Sequence, residues 1–260
     1  MHATTLAMVG ATGGAGTTRT AVELATIGAR NGHDVAVIDA AFTTQGLSAY
    51  VTGQIDTDCT ALITDKRDEP LSAATYPIRG VDAAASTQEI ASFGIAAAIP
   101  ARAPFERLAR AKTAEAAQRL ERRIDEAATS YDAVIIDTAP VGSNEAVAAV
   151  TTADRVAAVF PSTPHGHDAL QRLRGRIADV GGSVDSTIAV ARDTGDDVTT
   201  AADAATVTLP PTDAAVVDHP TALTGAGSYT EAIAAVYLDA FDTTIDLEFD
   251  SSGVLDRFRR

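Results

Sequence analysis

The sequence has no tryptophan, one cysteine and only two lysines among its 260 residues. The lone cysteine, Cys59, excludes a disulfide bond within the chain. No apolar run approaches the roughly 20 residues that a membrane-spanning helix needs, since stretches such as DAVIID and RVAAVF have the length of strands. The N-terminus also lacks the basic stretch and apolar run of a secretion signal. These absences predict a soluble, cytoplasmic protein.

The charged residues are strongly biased in type. Twenty-five aspartates outnumber ten glutamates, eighteen arginines outnumber two lysines, and the formal net charge is -15. This balance argues against a broad nucleic-acid-binding surface, because affinity for phosphates grows with the number of lysine and arginine contacts. Together with the many alanines, threonines and valines, the composition resembles that of proteins from salt-accumulating haloarchaea.

Apolar, β-branched runs alternate with helical patterns along the whole chain. The predicted strands are TLAMVGA, HDVAVIDA, YDAVIIDTAP, DRVAAVFPS, STIAVARD and ATVTLPP. A glycine-rich turn after the first strand leads into a predicted helix from about Thr17 to Asn31. This alternation is typical of an α/β fold with a doubly wound, mostly parallel sheet that is flanked by helices. One such domain is expected over residues 1–245, because a single α/β domain can reach this length.

The stretch from about Thr43 to Pro104 is less regular, with a predicted short helix near CTALITD and a predicted strand at FGIAAAIP. The next segment, PFERLARAKTAEAAQRLERRIDEAATS, places Phe105, Leu120 and Ile124 among many charges and predicts one long amphipathic helix. Further helices are predicted over NEAVAAVTTA, from about His165 to Val180, and over YTEAIAAVYLDAFDTTI.

The segment GATGGAGTTRT, which runs from Gly10 to Thr20, has the glycines of a phosphate-binding loop and contains no lysine. Such a loop holds phosphate through its backbone N–H groups and the start of a helix, and a lysine normally adds its charge. The segment follows a predicted strand and opens a predicted helix, as this kind of loop requires. The sequence therefore predicts the backbone part of a phosphate site without its usual cation.

Three segments in order resemble the ParA/MinD family of P-loop ATPases, whose loop has the form KGGxGKT. They are the glycine loop, VIDAAFTTQGLSAYVTG and YDAVIIDTAP. The resemblance continues through ADRVAAVFPSTP and TVTLPPTDAAV to the final helix, so it covers nearly the whole chain. It implies a P-loop NTPase fold, ATP or ADP with magnesium as the ligand, and a dimer.

The resemblance assigns site residues by position. The candidate nucleotide-binding residues are Gly13, Gly14, Ala15, Gly16, Thr17, Thr18, Arg19, Asp39, Asp137, Arg192 and Pro210. Among them, Thr18 and Asp137 match the hydroxyl and the aspartate that hold magnesium in the family. Asp39 matches the first aspartate after the second strand, and residues 138–142 resemble the switch that senses the γ-phosphate.

Four positions depart from the family pattern. Thr12 replaces the signature lysine that reaches a partner's phosphates, and Thr17 replaces the lysine that binds the β- and γ-phosphates. Ala41 replaces an aspartate associated with orienting the attacking water, and Ala191 replaces an asparagine that reads adenine. A cation at the transferring phosphate contributes ~10³–10⁵ in rate. We therefore expect a retained fold, no catalytic residue and no ATPase activity.

Three functional hypotheses follow. The first is a non-hydrolysing scaffold or regulator of intracellular positioning or partitioning, with or without a bound nucleotide. It would act as a homodimer or as a heterodimer with a related ATPase, together with an unknown protein partner. The second is an active Mg-ATPase that uses Arg19, Arg192 or a partner's lysine as its cation, although Arg19 is expected to point outward as a solvated side chain. The third is a nucleotide-independent DNA-binding protein, for which the scattered arginines locate no basic patch.

The end of the chain, residues 246–260, places Val254, Leu255 and Phe258 beside arginines. It resembles the amphipathic membrane-targeting tail of MinD-like proteins, which would make the protein peripheral at a membrane, but so short a segment would bind anionic lipid only weakly, and a solvated end is favoured. Two places suggest a metal site, the acidic loop RDTGDDVTT and the pair His165 and His167. The acidic loop is interpreted as a solvated turn, and the two histidines, which lack an obvious third ligand, as residues of a loop or helix start.

Overall fold

The protein is described by a computed structural model that covers residues 3–65, 69–81, 93–192, 205–212 and 219–245. The strands are β1 (Thr4–Gly10), β2 (Val35–Asp39), β3 (Tyr76–Pro77), β4 (Ala96–Ile99), β5 (Ala133–Thr138), β6 (Arg155–Pro161), β7 (Ser186–Val190) and β8 (Val207–Leu209). They form one sheet in the order β3-β4-β2-β5-β1-β6-β7-β8. All neighbouring strands are parallel except β3, which runs antiparallel to β4.

Seven α-helices lie in the described part of the chain. They are α1 (Thr17–Arg30), α2 (Cys59–Thr64), α3 (Phe105–Ala111), α4 (Ala114–Ser130), α5 (Asn144–Thr152), α6 (Pro164–Asp179) and α7 (Ser228–Phe241). Short 3-10 helices lie at Gly46–Tyr50, Leu71–Ala74 and Thr221–Leu223. Cys59 is fully buried at the start of α2, where burial raises the pKa of its thiol well above the usual value.

Both faces of the sheet are covered, because successive residues of a strand point to opposite faces. Leu6 and Met8 of β1 join the core that includes α1 and α7. Ala7 and Val9 of the same strand join the core that includes α5 and α6. The near-continuous apolar runs of the sequence arise from this double burial. The predicted doubly wound, mostly parallel sheet is thus confirmed.

Segment 105–130 corrects one prediction, because it forms two helices and not one. The chain leaves α3 at Lys112, and Thr113 then caps α4 by accepting a hydrogen bond from the backbone N–H of Ala116 at 3.3 Å. A threonine cap satisfies an N–H group that has no partner within the helix, so it favours a new start at this position. Phe105, predicted on the apolar face, is 83% exposed, whereas Ile124 is fully buried.

The other predicted strands and helices are found within a few residues of their expected bounds. The predicted tail at 246–260 and the acidic loop at 193–200 lie outside the described residues. In the part of the chain that the structure describes, the helices are too short or too polar to span a membrane.

Helix α1 packs closely on α7 and β2 at Gly28. A Cβ atom at this position would lie 2.7 Å from the Tyr237 hydroxyl and 2.7 Å from Cγ2 of Val35. The hydroxyl of Tyr237 also lies 3.0 Å from Nδ1 of His33, which restrains the ring. Glycine at this helical position is therefore required by the space available, and not by its backbone conformation.

We predict that Gly28→Ala lowers the free energy of unfolding, because the added methyl group overpacks this contact at a cost of about 1–3 kcal/mol. The loss should exceed the gain of about 1 kcal/mol that alanine brings to a helix. Gly175→Ala is the matched control, because Gly175 lies in α6 and a Cβ there would meet no atom within 4 Å. Urea denaturation should show Gly175→Ala to be neutral or stabilising. An equal gain from both substitutions would contradict the close packing at Gly28.

Candidate functional site

The carboxyl ends of β1, β2 and β5 meet at one edge of the sheet, beside a cleft of about 290 Å³. Parallel α/β sheets commonly bind ligands at this edge. The cleft is lined by Gly10, Thr12, Gly13, Gly14, Ala15, Gly16, Thr17, Thr18, Arg19, Ala41, Thr44, Gly46, Tyr50, Asp137, Thr138, Ala139 and Pro140. The glycine loop, the start of α1 and the segments after β2 and β5 therefore share one concave surface.

The loop between β1 and α1 has the backbone of an anion-binding site. Gly14 and Gly16 have φ angles of +71° and +96°, a left-handed conformation that glycine adopts without strain. The N–H of Ala15 donates to the carbonyl of Thr12 at 3.3 Å. None of the described side chains caps α1 at Gly16, so the first N–H groups of the helix are directed at the cleft without an intrahelical acceptor. Such N–H groups, with the helix dipole, attract phosphate.

Thr18 and Asp137 meet at the base of the cleft. The Thr18 hydroxyl donates to Oδ2 of Asp137 at 2.6 Å. The other carboxylate oxygen, Oδ1, is buried and has no hydrogen-bond partner among the described residues. A buried acceptor without a partner is costly, and a divalent cation would satisfy it. Since magnesium prefers hydroxyl and carboxylate oxygens, this pair fits the ion that the family resemblance implies.

Asp39 lies next to Asp137 in the register of β2 and β5, and it is fully buried. Its carboxylate accepts hydrogen bonds from the N–H groups of Ala41 at 3.0 Å and Ala101 at 3.4 Å. Burial raises the pKa of Asp39, and the neighbouring Asp137 raises it further. Burial also raises the pKa of Asp137, which the hydrogen bond from Thr18 partly offsets. Asp39 is not among the residues that line the cleft, so it supports the loop after β2 from below.

Arg19 lines the cleft, but its guanidinium turns toward the helix and away from the loop. Its Nε donates to Oε1 of Glu23 at 2.6 Å, and its Nη2 donates to Oγ1 of Thr221 at 2.9 Å. The prediction of an outward, solvated Arg19 is therefore wrong, since the side chain is only 17% exposed. The physical reason is Glu23, whose fully buried carboxylate requires a compensating charge.

The structure places the two remaining candidates outside the cleft lining. Arg192 follows β7 and its guanidinium donates to the carbonyl of Gly14 in the loop. Val190 packs beside Gly16, with Cγ1 3.5 Å from where a Cβ would lie. Pro210 follows β8 and does not belong to the cleft-lining residues of the described chain. Arg192 therefore contacts the loop, whereas Pro210 is not among the residues that line the cleft.

Several residues after β2 form part of the cleft, although only Ala41 among them was assigned to the site from the sequence. Tyr50 lines the cleft, and a Cβ on Gly46 would lie 3.1 Å from the hydroxyl oxygen of Thr18. Gln45 turns the chain here with φ +52°, and its side-chain amide exchanges two hydrogen bonds with the backbone of Ala103. The sequence signal was the TQG turn at residues 44–46, a few residues after β2, which brings Gly46 against Thr18.

The histidine pair has no metal-like surroundings in the described structure. His165 is exposed in the first turn of α6, and Nδ1 of His167 is buried without a partner. Across residues 3–65, 69–81, 93–192, 205–212 and 219–245, no group of three or more histidine, cysteine, aspartate or glutamate side chains is arranged to hold a metal ion.

We predict that Asp137→Asn stabilises the metal-free protein by about 1–3 kcal/mol at pH 8, because it removes a buried charge with a partnerless oxygen. A carboxyl whose pKa is raised by folding destabilises the folded state as pH rises above its unfolded pKa, so the gain should shrink toward pH 5. Thermal unfolding in EDTA at both pH values measures this. The control is Asp125→Asn, on the exposed face of α4, which should change stability by less than about 0.5 kcal/mol. A loss of stability in Asp137→Asn at pH 8 would contradict the assignment.

Several solved structures share this fold. The septum site-determining protein MinD complexed with Mg-ADP, from Pyrococcus horikoshii OT3, matches with a TM-score of 0.71 and 16% identity, over 91% of this chain and 94% of that one. MinD in the MinC:MinD cell division complex of Aquifex aeolicus matches with a TM-score of 0.71 and 17% identity, over 95% and 99%. The ParA family ATPase from Chlorobium tepidum TLS matches with a TM-score of 0.67 and 16% identity, over 90% and 98%.

No curated protein matches the chain in sequence. The profile of the AAA_31 family, described as an AAA domain, matches residues 3–190, which is well over half of the chain. This match agrees with the fold, with the loop between β1 and α1 and with the structural neighbours. The chain belongs to the AAA_31 family and is a ParA/MinD-like P-loop protein.

Proposed function

We propose that this protein binds a nucleotide with magnesium without hydrolysing it, and acts as a dimerising scaffold or regulator of intracellular positioning. One observation carries the proposal. The cleft keeps the backbone loop and the Thr18–Asp137 pair, but its lining has Thr12, Thr17 and Ala41 where the family pattern has two lysines and an aspartate.

The residues that remain are suited to binding. The N–H groups of the loop and of the first turn of α1 would hold phosphate oxygens, and Thr18 with Asp137 would hold magnesium. Magnesium, when bound, supplies positive charge beside the phosphate oxygens and satisfies the Asp137 oxygen that has no partner. The relative from Pyrococcus horikoshii was solved with Mg-ADP, which supports this ligand class.

The residues that are missing argue against hydrolysis. Among the cleft-lining residues, Arg19 carries the one positive charge, and it is paired with Glu23. The methyl group of Ala41 has no donor or acceptor with which to orient a water molecule. Asp39 does not replace it, because its carboxylate is buried against the backbone of residues 41 and 101. A phosphoryl transfer in this cleft would lack the cation on which its rate depends.

The positioning role and the dimer are supported by the relatives. The Aquifex aeolicus MinD was solved in a cell division complex with MinC, and the Chlorobium tepidum relative is a ParA family ATPase. By analogy, we propose that this chain dimerises and presents a surface to a protein partner. Light scattering with and without Mg-ATP, in molar potassium chloride to suit the acidic composition, tests the dimer.

The contact of Arg192 with the loop favours a second candidate function, an active Mg-ATPase. Its guanidinium already lies on the carbonyl of Gly14, so a small rotation would bring a cation toward the phosphates. Magnesium-dependent phosphate release that disappears in Arg192→Ala, and remains in Arg174→Ala on the exposed face of α6, would establish this candidate and overturn the first.

We predict that Thr17→Lys tightens Mg-ADP binding by roughly ten- to a hundredfold, because a charge-assisted hydrogen bond contributes ~1.5–3 kcal/mol. Thr17 lines the cleft in the first turn of α1, so a lysine there reaches the same space. Calorimetric titration measures the affinity. Thr151→Lys, at an exposed position of α5, adds the same charge far from the loop and should leave binding unchanged.

Two results would contradict the proposed function. Magnesium-dependent phosphate release by the wild-type protein would show that it hydrolyses nucleotide. Failure of the wild-type protein to bind Mg-ADP or Mg-ATP at millimolar concentration would show that the loop is an architectural relic.

A further inference from the structure

Arg19 and Glu23 form a buried pair that connects the cleft to a distant part of the chain. Glu23 is fully buried, and Arg19 donates to its Oε1 at 2.6 Å. The same carboxylate accepts hydrogen bonds from the N–H groups of Thr221 at 2.9 Å and Ala222 at 2.7 Å. It therefore caps the 3-10 helix that precedes α7. A buried carboxylate with these three donors is rigidly placed, because moving it would leave a charge unpaired.

The guanidinium of Arg19 extends the connection. Its Nη2 donates to the hydroxyl of Thr221, which lies 3.3 Å from the hydroxyl of Thr212. The charge of Arg19 also lowers the pKa of the Tyr50 and Tyr229 hydroxyls, against the larger effect of their burial, so both hydroxyls lie within its electrostatic reach. A planar fork of five N–H donors can serve several acceptors at once, which a lysine ammonium cannot do in the same geometry.

The two tyrosines lie on different sides of Arg19. Tyr50 lines the cleft, in the 3-10 helix that follows β2. Tyr229 lies in the first turn of α7, is 9% exposed and is not one of the cleft-lining residues. Burial raises the pKa of both hydroxyls, so both remain neutral at ordinary pH. Arg19 is thus placed between the ligand side of the fold and its last described helix.

We propose that Arg19 is a positioning residue that conveys occupancy of the cleft by an anionic ligand to the 3-10 helix at Thr221–Leu223, and so to α7 that follows it, through its contacts with Glu23 and Thr221. Its own backbone N–H belongs to the first turn of α1, where phosphate would bind. A phosphate there attracts the guanidinium and tilts it, while the ion pair with Glu23 is kept. The tilt alters the hydrogen bond to Thr221 and the distance to the Tyr229 hydroxyl, because one rigid plane carries all the N–H donors. This inference rests on the proposed nucleotide binding.

The test is fluorine NMR of protein labelled with 3-fluorotyrosine. The chain has only five tyrosines, so each signal can be assigned by a single tyrosine-to-phenylalanine variant. During titration with Mg-ADP, the signals of Tyr50 and Tyr229 should shift together and saturate at the same ligand concentration. Tyr76 and Tyr131 contact neither Arg19 nor the cleft in the described structure, and their signals should stay in place.

Arg19→Lys is the decisive variant. It keeps the positive charge beside Glu23, so the fold is retained, but it removes the fork that also reaches Thr221. In this variant the Tyr50 signal should still respond to Mg-ADP, and the Tyr229 response should be lost. Arg30→Lys is the matched control, because Arg30 also lies in α1 and donates to the carbonyls of Ala222 and Gly225, but does not line the cleft. It should leave the Tyr229 response intact.

Calorimetry on the same samples separates the two ideas. Mg-ADP binding without a Tyr229 response, or with a response that survives in Arg19→Lys, overturns the role of Arg19 and leaves the proposed function standing. Loss of the Tyr229 response in Arg30→Lys as well would show that any weakening of the contacts between α1 and residues 221–225 abolishes the response. That result would also overturn the role of Arg19. Absence of binding heat in the wild type overturns the proposed nucleotide binding and this inference together.

Discussion

Burial of negative charge at the ends of two adjacent parallel strands is the constraint on which the cleft depends. The register of β2 and β5 places Asp39 beside Asp137, and both carboxylates are removed from water. Asp39 is stabilised by backbone N–H groups, while Asp137 keeps one oxygen without a partner. The need for a cation therefore falls on a single atom at the base of the cleft. The sheet thus buries a carboxylate oxygen of Asp137 for which the described residues supply no hydrogen-bond partner.

Glu23 is another buried carboxylate that needs a compensating charge. Its pairing with Arg19 explains why the described cleft-lining residues include no cation that is free to bind a ligand. Glu23 is as deeply buried as Asp39, and it takes the charge of Arg19, the one cationic residue that lines the cleft. An arginine that neutralises a buried carboxylate cannot be withdrawn without leaving that carboxylate exposed to a strong penalty. Stability of the α1 region and catalysis in the cleft therefore compete for the same side chain, and stability prevails.

Much of this organisation could be predicted from the sequence because it depends on local patterns. Strand periodicity and the glycine loop fixed the positions of β1, α1 and β5, and the capping signal at Thr113 could also have revealed the break between α3 and α4. The orientation of Arg19 could be predicted only in part. Glu23 lies four residues away, within reach on one helix face, but Thr221 lies about two hundred residues away and enters through tertiary packing. The same is true of the turn at Gln45 that brings Tyr50 to the cleft.

The position of Cys59 has a practical consequence. Its thiol is fully buried, and a thiol with a raised pKa carries little of the thiolate that reacts with maleimides or disulfide reagents. Because Cys59 is also the only cysteine, the native chain should react little with thiol-labelling reagents. A spin label or fluorophore on one introduced surface cysteine would therefore report on that position alone, in a protein that has no tryptophan emission to interfere.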